Sequence, residues 1–285
     1  MERLLLFTMM IFGTFTGFCQ SAGQGFPGSQ VLKDSTWSIG KRVDRQEIRY
    51  LDQKGKIVVV EVIKARLKKN RLSLEAATPD NKPAFGRQEV PKEIKAENSP
   101  GRQVVAGVNA DFFNMNNGTP LGPVVKDGSV IKGVSHTMVA FVGVLKSGKI
   151  IMGDSILFKN KEQSLKEALG ARPLLVTNGQ LLPQNGSGLS TVHHPRTAFG
   201  VKGKSTVFLV TVDGRQPDFS NGISLTDLGQ LMRWLGADNA VNLDGGGSTT
   251  MAVWDQSAQE YIISNRPSGK ILRPVANSWI LVRKQ

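Results

Sequence analysis

The stretch SLTDLGQLMRWLGADNAVNLDGGGSTTMAVW, residues 224–254, joins a helix pattern to two strand patterns and says most about the fold. Ser224 is a favourable N-cap, and Gly236 suits the C-terminal end of a helix. Apolar residues recur three or four positions apart between them, at Leu225, Leu228, Leu231, Met232 and Leu235. The runs NAVNL and TTMAVW, on either side of three glycines, have the length of strands. Because the strand pattern TVFLVTVDG precedes the helix, the sequence predicts a unit that resembles βαβ.

Short strands and hairpin turns dominate the rest of the chain. EIRYL and KIVVVEVIKARL flank a turn at Gly55, and further turns are predicted at Asp127–Gly128 and Ser147–Gly148. The 31 glycines also favour turns and strands over a helical bundle. A second helix is predicted over residues 161–169. We therefore predict an α+β fold, in which a sheet-rich mixed α/β body with few helices carries a short N-terminal β element.

The chain divides into four predicted segments. Residues 1–19 have a short charged start and an apolar stretch, which together are typical of a secretory signal peptide. Residues 20–36 are rich in Gly, Ser and Gln and are predicted to form a linker. Residues 37–103 are assigned to the N-terminal β element and a connection that contains one helical turn. Residues 104–285 are assigned to the main domain.

Cys19 is the single cysteine of the 285 residues, so no internal disulfide can form. It lies where the signal peptide would end, but it follows Phe18, whereas a lipid-modified cysteine follows a small residue. We therefore expect cleavage near Cys19–Gln20 or Ser21–Ala22, and a secreted or periplasmic protein rather than a lipoprotein. No later segment is long and apolar enough to span a bilayer, so the mature chain is expected to have no transmembrane span.

The formal net charge is +13 and the isoelectric point is about 10.0. A field of this sign attracts anions, which favours an anionic substrate such as a phosphorylated glycan. A basic surface that serves solubility, or that suits an anionic envelope, explains the charge equally well. Nucleic acid is not expected as a partner, because the basic residues are scattered and no arginine-rich arm or recognition helix is present.

Polar side chains collect at the ends of four apolar strands. Side chains two positions apart on a strand share a face. The pairs that do so here are Asn109 and Asp111, Asp213 and Arg215, and Asn242 and Asp244. Arg196 enters a further strand in HHPRTAFG. These groups can line one cleft, although Asp213–Gly214 and Asp244–Gly245 are also ordinary turn signals.

Several familiar chemistries are disfavoured. LDGGGST lacks the lysine of a Walker loop and leads into a strand, unlike a Rossmann fingerprint. The sequence has no G-x-S-x-G elbow and no usable cysteine nucleophile. His193 and His194 are adjacent and point in opposite directions on a strand, which argues against a zinc site. No cofactor is expected to be required, and a calcium or magnesium site built from aspartate and asparagine oxygens stays open.

At GVNADFF, HPRTAFG, VDGR and NLDGGGSTTM, in that order, the chain resembles the phosphodiester glycosidase family. The helix before the glycine motif and the closing segment RPVANSW also resemble the family, so the likeness covers about residues 104–282. The resemblance implies hydrolysis of a sugar-1-phosphodiester, with a sugar of the N-acetylglucosamine type. By matched position it implies these site residues: Asn109, Asp111, Arg196, Thr197, Asp213, Arg215, Asn242, Asp244, Gly245, Gly246 and Ser248.

The resemblance suggests a mechanism as a hypothesis. Arg196 and Arg215 would bind the phosphate, because a guanidinium binds phosphate oxygens bidentately. One of three aspartates would act as base or nucleophile: Asp111, Asp213 or Asp244. Asn109 and Asn242 would hold sugar hydroxyls, and the backbone of residues 245–247 would present N–H donors. The alternatives are a phosphodiesterase that cuts the P–O bond on the same scaffold, and a non-catalytic module that binds phosphorylated envelope glycan.

Overall fold

The computed structural model describes residues 25–134, 140–184 and 190–284. The predicted signal peptide, with its cleavage sites and Cys19, lies outside these residues. Within them, no helix is long and apolar enough to cross a membrane.

The described residues form eighteen strands and three α-helices. The strands are β1 Gln30–Gly40, β2 Val43–Leu51, β3 Ile57–Arg66, β4 Leu72–Ala77, β5 Arg102–Asn109, β6 Val124–Lys126, β7 Ser129–Lys132, β8 Ala140–Leu145, β9 Ile150–Gly153, β10 Leu165–Ala171, β11 Leu174–Thr177, β12 Gln180–Leu181, β13 Arg196–Lys202, β14 Thr206–Val212, β15 Asn239–Asn242, β16 Met251–Asp255, β17 Glu260–Ile263 and β18 Ser278–Lys284. The helices are α1 Val90–Ala96, α2 Ser155–Lys161 and α3 Leu225–Trp234. This sheet-dominated content confirms the predicted α+β fold.

Three sheets make up the body. The first has eight strands in the order β1-β2-β3-β14-β13-β15-β11-β12. The others have five strands each, in the orders β7-β6-β10-β8-β9 and β17-β16-β5-β18-β4. Since β14 and β15 both run antiparallel to β13, they are parallel to each other, and α3 connects them. The predicted βαβ-like unit is thus present, with one strand inserted between its two strands.

The largest apolar core lies between the sheets. Phe199 of β13 and Trp279 of β18 meet there at 6.0 Å between ring centroids, and both are fully buried. The apolar stripe of α3 covers the outer face of the eight-stranded sheet. Ser224 caps this helix as predicted, because its hydroxyl accepts from the Asp227 N–H at 3.1 Å. The sheets therefore hold the strand ends, and the residues that follow them, in fixed positions.

Two expectations about single elements are wrong. The helix predicted over residues 161–169 lies earlier, at Ser155–Lys161, where the Asp154 carboxylate accepts from the N–H groups of Ile156 and Leu157. Leu165–Ala171 is instead strand β10, because pairing with β6 and β8 buries every residue of it except Lys166. The linker predicted over residues 20–36 is also shorter, since β1 begins at Gln30 and pairs along its length with β2.

The strands before residue 104 are integral to the sheets rather than appended to them. β3 pairs with β14 through seven residue pairs, from Thr206 with Arg66 to Val212 with Val60. β4 likewise pairs with β18. The N-terminal β element therefore shares its hydrogen bonds and its core with the segment that carries the site.

Candidate active site

The predicted site residues gather where several strands end. Arg196, at the start of β13, lies opposite Val212, at the end of β14 and just before Asp213. Asn242, at the end of β15, pairs with Ala198 of β13. The sheet register therefore brings segments far apart in sequence to one end of the molecule.

Three consecutive glycines follow β15 because each lies against a different neighbour. A Cβ at Gly245 would lie 2.6 Å from the Pro195 carbonyl oxygen, and one at Gly247 would lie 2.5 Å from an Arg273 guanidinium nitrogen. Gly246 has φ +62°, a left-handed conformation that favours glycine, and its Cβ would lie 3.3 Å from Arg215. The glycines thus let the turn approach the two guanidinium groups closely.

The amides of this turn are used within the protein. The Gly245 N–H donates to the Asp244 carboxylate at 2.9 Å, and the Gly246 N–H donates to the Pro195 carbonyl at 2.8 Å. We had expected the backbone here to present N–H donors to a substrate. For these two glycines the structure instead shows donors that shape the turn and orient the Asp244 carboxylate.

Asp244 is the partly exposed aspartate of the site. Burial raises the pKa of its carboxyl, while the Ser248 hydroxyl, the Gly245 amide, Arg273 and Arg172 oppose that shift. Its backbone N–H donates to the Ala110 carbonyl at 2.8 Å, which fixes the turn to the end of β5. Asp244 therefore combines access to solvent with two guanidinium groups close enough to act on its charge.

Asp111 is the almost fully buried aspartate of the site. Its carboxylate accepts from the Gly122 N–H at 2.8 Å, and a Cβ at Gly170 would lie 2.5 Å from it. Burial raises the pKa of Asp111 to about 7, and Asp244 adds to this shift, whereas the Gly122 amide and Lys132 oppose it. The Asp111 carboxyl is therefore partly protonated at neutral pH, and the negative charge of Asp244 favours the protonated form.

Asp213 belongs to a neighbouring loop. Its carboxylate accepts from the Asn265 side chain at 2.9 Å and from the Arg266 N–H at 2.9 Å. Burial raises its pKa to about 6, and these hydrogen bonds oppose the shift. Asn265 also donates to the Thr249 carbonyl, so Asp213 anchors the segment that follows the glycine turn.

Asn109 and Thr197 form buried hydrogen bonds that hold the segments of the site together. The Asn109 amide donates to the Asp244 carbonyl at 2.6 Å, and its oxygen accepts from the Thr197 hydroxyl at 2.8 Å and from the Thr250 N–H at 3.1 Å. Both residues are buried, so the structure gives them a supporting position in place of the expected contact with substrate.

Asn242 and Ser248 are likewise buried. The Asn242 amide donates to the Arg172 carbonyl at 2.7 Å, which holds the segment before β11 against β15. Asn242 was predicted to hold a sugar hydroxyl, whereas in the structure its amide contacts the backbone of Arg172. Ser248 lies at the end of the glycine turn, where its hydroxyl acts on the charge of Asp244.

Arg196 and Arg215 form a pair of like charges. Arg196 is 8% exposed, and its guanidinium donates to the Val192 carbonyl at 3.3 Å. Burial, followed by the charge of Arg215, lowers the pKa of Arg196 to about 10. Arg215 is exposed and has φ +59°. An anion between two such groups would relieve their repulsion, so the predicted phosphate ligands have a fitting arrangement.

Four further polar residues lie near the site and were not predicted to belong to it: Lys132, Arg172, His194 and Arg273. Arg172 is exposed and lies 4.6 Å from the centre of the Phe112 ring. Lys132 donates to the Gly122 carbonyl at 3.0 Å. Burial and the charges of Arg196 and Arg215 lower the pKa of His194. Arg273 opens RPVANSW, which offered a signal, whereas Arg172 lies in a strand pattern that gave none.

Metal binding was left open by the sequence. Among the described residues, one group of carboxylates lies close enough to share a cation, namely Glu75, Asp127 and Glu167, and it includes none of the three predicted aspartates. A calcium or magnesium requirement of the site stays a prediction, as does its absence.

Comparison with known proteins gives one family and a consistent fold. The sequence model of the phosphodiester glycosidase family matches residues 102–282. N-acetylglucosamine-1-phosphodiester alpha-N-acetylglucosaminidase from Mus musculus is 26% identical over 165 residues, which are 51% of this chain and 31% of that protein. The Homo sapiens protein of the same name is 28% identical over 163 residues, with the same coverage of 51% and 31%. The chain thus matches less than a third of the length of these relatives.

Two solved structures are similar across most of the chain. The catalytic domain of the zebrafish protein of that name, solved as auto-inhibited by its pro-peptide, has a TM-score of 0.70 at 19% identity, covering 89% of this chain and 88% of that one. A hypothetical protein from Synechocystis has a TM-score of 0.68 at 16% identity, covering 88% and 64%. At these identities the likeness establishes the fold.

Proposed function

The chain belongs to the phosphodiester glycosidase family, and on that premise we propose that it hydrolyses the glycosidic bond of a sugar-1-phosphodiester. The products are a free sugar and a phosphomonoester. The observation that carries the proposal is the glycine turn, where Asp244 lies with Arg215 and Arg273 packed against the adjoining glycines. A carboxylate beside several guanidinium groups suits a substrate with a phosphate next to the bond that breaks.

The arginines serve the phosphate. The leaving group is a phosphate monoester, whose second pKa is about 6, so it departs readily at neutral pH. Protonation of the leaving oxygen therefore matters less than stabilisation of its charge. Arg196, Arg215 and Arg273 supply the positive charge that stabilises it.

The carboxylates serve the sugar. Water adds its oxygen to the anomeric carbon, and the carbon–oxygen bond to phosphate breaks with its electron pair going to the phosphate. Asp244 is the carboxylate that faces this centre, either as the base that takes the water proton or as the nucleophile. Asp111 lies behind Asp244 as a carboxyl that is partly protonated at neutral pH, and Asp213 positions the loop of Asn265.

The sugar and the location are proposed from the relatives and from the N-terminal sequence. The names of the curated relatives specify N-acetylglucosamine, so we propose a sugar of that type. The apolar N-terminal stretch supports secretion or a periplasmic location.

Product analysis tests the proposal. The protein is incubated with an N-acetylglucosamine-1-phosphodiester, with and without a chelator, beside Asp244→Asn and an exposed control, Asp218→Asn. We expect free sugar from the wild type and the control, and a loss of at least roughly a hundredfold for Asp244→Asn. Sugar-1-phosphate would instead show P–O cleavage, which the same arginines can serve. No product in either form would contradict the proposal, and loss with chelator alone would show that a metal is required.

A further inference from the structure

Basic residues converge at the end of the molecule away from the glycine turn. They come from four places: the turn after β1 with Lys41 and Arg42, the turn after β3 with Lys68, Lys69 and Arg71, the turn after β13 with Lys204, and the end of β18 with Arg283 and Lys284. We call this surface the basic end. It contains segments that the proposed function does not use.

The basic end and the candidate site lie at opposite ends of the same strands. β13 begins with Arg196 at the site and ends with Lys202, and β18 runs from Ser278 to Lys284. Seven residues of strand span about 20 Å at roughly 3.3 Å per residue. A phosphate group bound at the basic end is therefore too far from Asp244 to belong to the phosphodiester that is cleaved.

Two adjacent grooves give the basic end a concave form. The first has a volume of about 260 Å³ and is lined by Lys41, Arg42, Lys68, Arg71, Leu72, Arg283 and Lys284. The second has a volume of about 310 Å³, shares Lys68, Leu72 and Lys284 with the first, and adds Lys146, Lys166 and Lys204. The shared residues show that the two grooves adjoin, so that together they present one extended basic surface.

Most of these charges lack a carboxylate partner. In the part of the chain that the structure describes, Lys41, Arg42, Lys68 and Arg71 form no ion pair, whereas Lys284 and Lys166 pair with Glu75. One Nη nitrogen of Arg283 is buried against Gly40 and has no hydrogen-bond partner among the described residues. Positive charges that lie close together without carboxylate partners repel one another, and a bound polyanion would offset that repulsion.

We propose that the basic end binds a polymer with phosphates in series, namely a phosphodiester-linked glycan. The lining of the grooves argues against two other polyanionic partners. No aromatic side chain lines either groove, whereas single-stranded nucleic acid is held by stacking on aromatic rings. None of the large apolar side chains that are exposed among the described residues lines them either, whereas a membrane surface favours apolar insertion.

The choice of a glycan rests on the proposed function, but the anion site does not. Because the two sites face opposite ways, the bound polymer acts as an anchor. It would hold the protein on an anionic surface with Asp244 turned towards the surrounding solution.

Binding of long-chain inorganic polyphosphate over a range of salt concentrations tests this inference. The triple variant Lys41→Gln, Lys68→Gln, Arg71→Gln removes three exposed charges of the basic end. Its matched control removes three exposed charges elsewhere, as Lys54→Gln, Lys95→Gln, Lys159→Gln. We expect the triple variant to lose roughly tenfold or more in affinity at low salt and to show a shallower salt dependence, while the control keeps the wild-type values.

Activity and competing ligands separate the remaining outcomes. Both variants should hydrolyse a small glycosyl phosphodiester at the wild-type rate, and binding can be measured even if no substrate is turned over. Equal affinities of the triple variant and the control for polyphosphate would overturn the inference. So would tighter wild-type binding to single-stranded DNA, or to vesicles that contain phosphatidylglycerol, than to polyphosphate of the same charge.

Discussion

At the scale of single residues, Asp111 and Asp244 are two carboxyl groups whose pKa values are set by different surroundings. Both belong to motifs that end a strand, yet one is almost fully buried and the other is partly exposed. The Asp244 carboxylate has Arg172 and Arg273 nearby, whereas Asp111 has the backbone of Gly122 and the more distant charge of Lys132. Of these two carboxyl groups, we therefore choose Asp111 for a test of how stability depends on pH.

Asp111→Asn should change how stability depends on pH. Because the folded-state pKa of Asp111 is raised from 3.8 to about 7, the folded protein binds more protons than the unfolded chain between these values. Stability therefore falls as pH rises through this interval, and the asparagine variant should lose that part of the slope. Thermal unfolding from pH 4 to pH 8 measures it, with exposed Asp218→Asn as the control. An unchanged slope in Asp111→Asn would show that burial does not raise this pKa.

Arg196→Lys should lose activity although the charge is kept. A lysine cannot reproduce the planar fork that binds two phosphate oxygens, and the position is almost fully buried. We expect the rate on a glycosyl phosphodiester to fall by roughly tenfold to a thousandfold. Arg66→Lys, at an exposed position on β3, should keep the wild-type rate. Full activity of Arg196→Lys would argue against bidentate binding of phosphate.

The sequence identified many of these residues but few of their contacts. Motif spacing placed Asn109, Asp111 and Asp244 at strand ends correctly. It could not show that Asn109 is hydrogen-bonded to Thr197, 88 positions away, because such contacts depend on how the sheets pair. Arg172 escaped detection for the same reason, since it reaches the site only through the register of β11 with β15.

At the scale of elements, three consecutive glycines mark the turn after β15, but the sequence does not show which groups approach it. The structure gives these glycines Pro195, Arg215 and Arg273 as close neighbours, which leave little room for a Cβ atom. By contrast, the helix predicted over residues 161–169 was wrong. Local periodicity there resembled a helix, but pairing with β8 stabilises a strand.

Gly247→Ala should separate activity from stability. The new methyl group would lie 2.5 Å from an Arg273 nitrogen, and the flexible arginine can move away at little cost in folding free energy. We expect the melting temperature to change little while the rate falls severalfold or more, because Arg273 leaves its place at the turn. Gly133→Ala, where a Cβ meets nothing within 4 Å, is the control. A variant with the wild-type rate would show that the position of Arg273 is unimportant.

At the scale of the whole molecule, the sheets join segments that the sequence assigned separately. The family match begins at residue 102, but β3 lies in the middle of the eight-stranded sheet and β4 forms an edge of another. The sequence predicted a boundary at residue 104 because the pattern changes there to short apolar runs broken by glycine. Long-range pairings such as that of β3 with β14 leave no local pattern that could have corrected the division.

A fragment of residues 102–285 should therefore fail to fold. It would expose the β14 edge that β3 covers and remove the buried side chains of Val58, Val60, Val62, Ile63 and Ala65 from the core. We expect no cooperative thermal transition by circular dichroism, whereas residues 25–285 should show one. Cooperative unfolding of the fragment would mean that the N-terminal strands are dispensable.

Hydrolysis in water labelled with heavy oxygen tests the central claim most directly. The purified protein is given an N-acetylglucosamine-1-phosphodiester, and the products are weighed by mass spectrometry. Attack at the anomeric carbon predicts the label in the free sugar and none in the phosphomonoester. Label in the phosphate would show that the arginines and aspartates around the glycine turn cut the P–O bond, and would contradict the account.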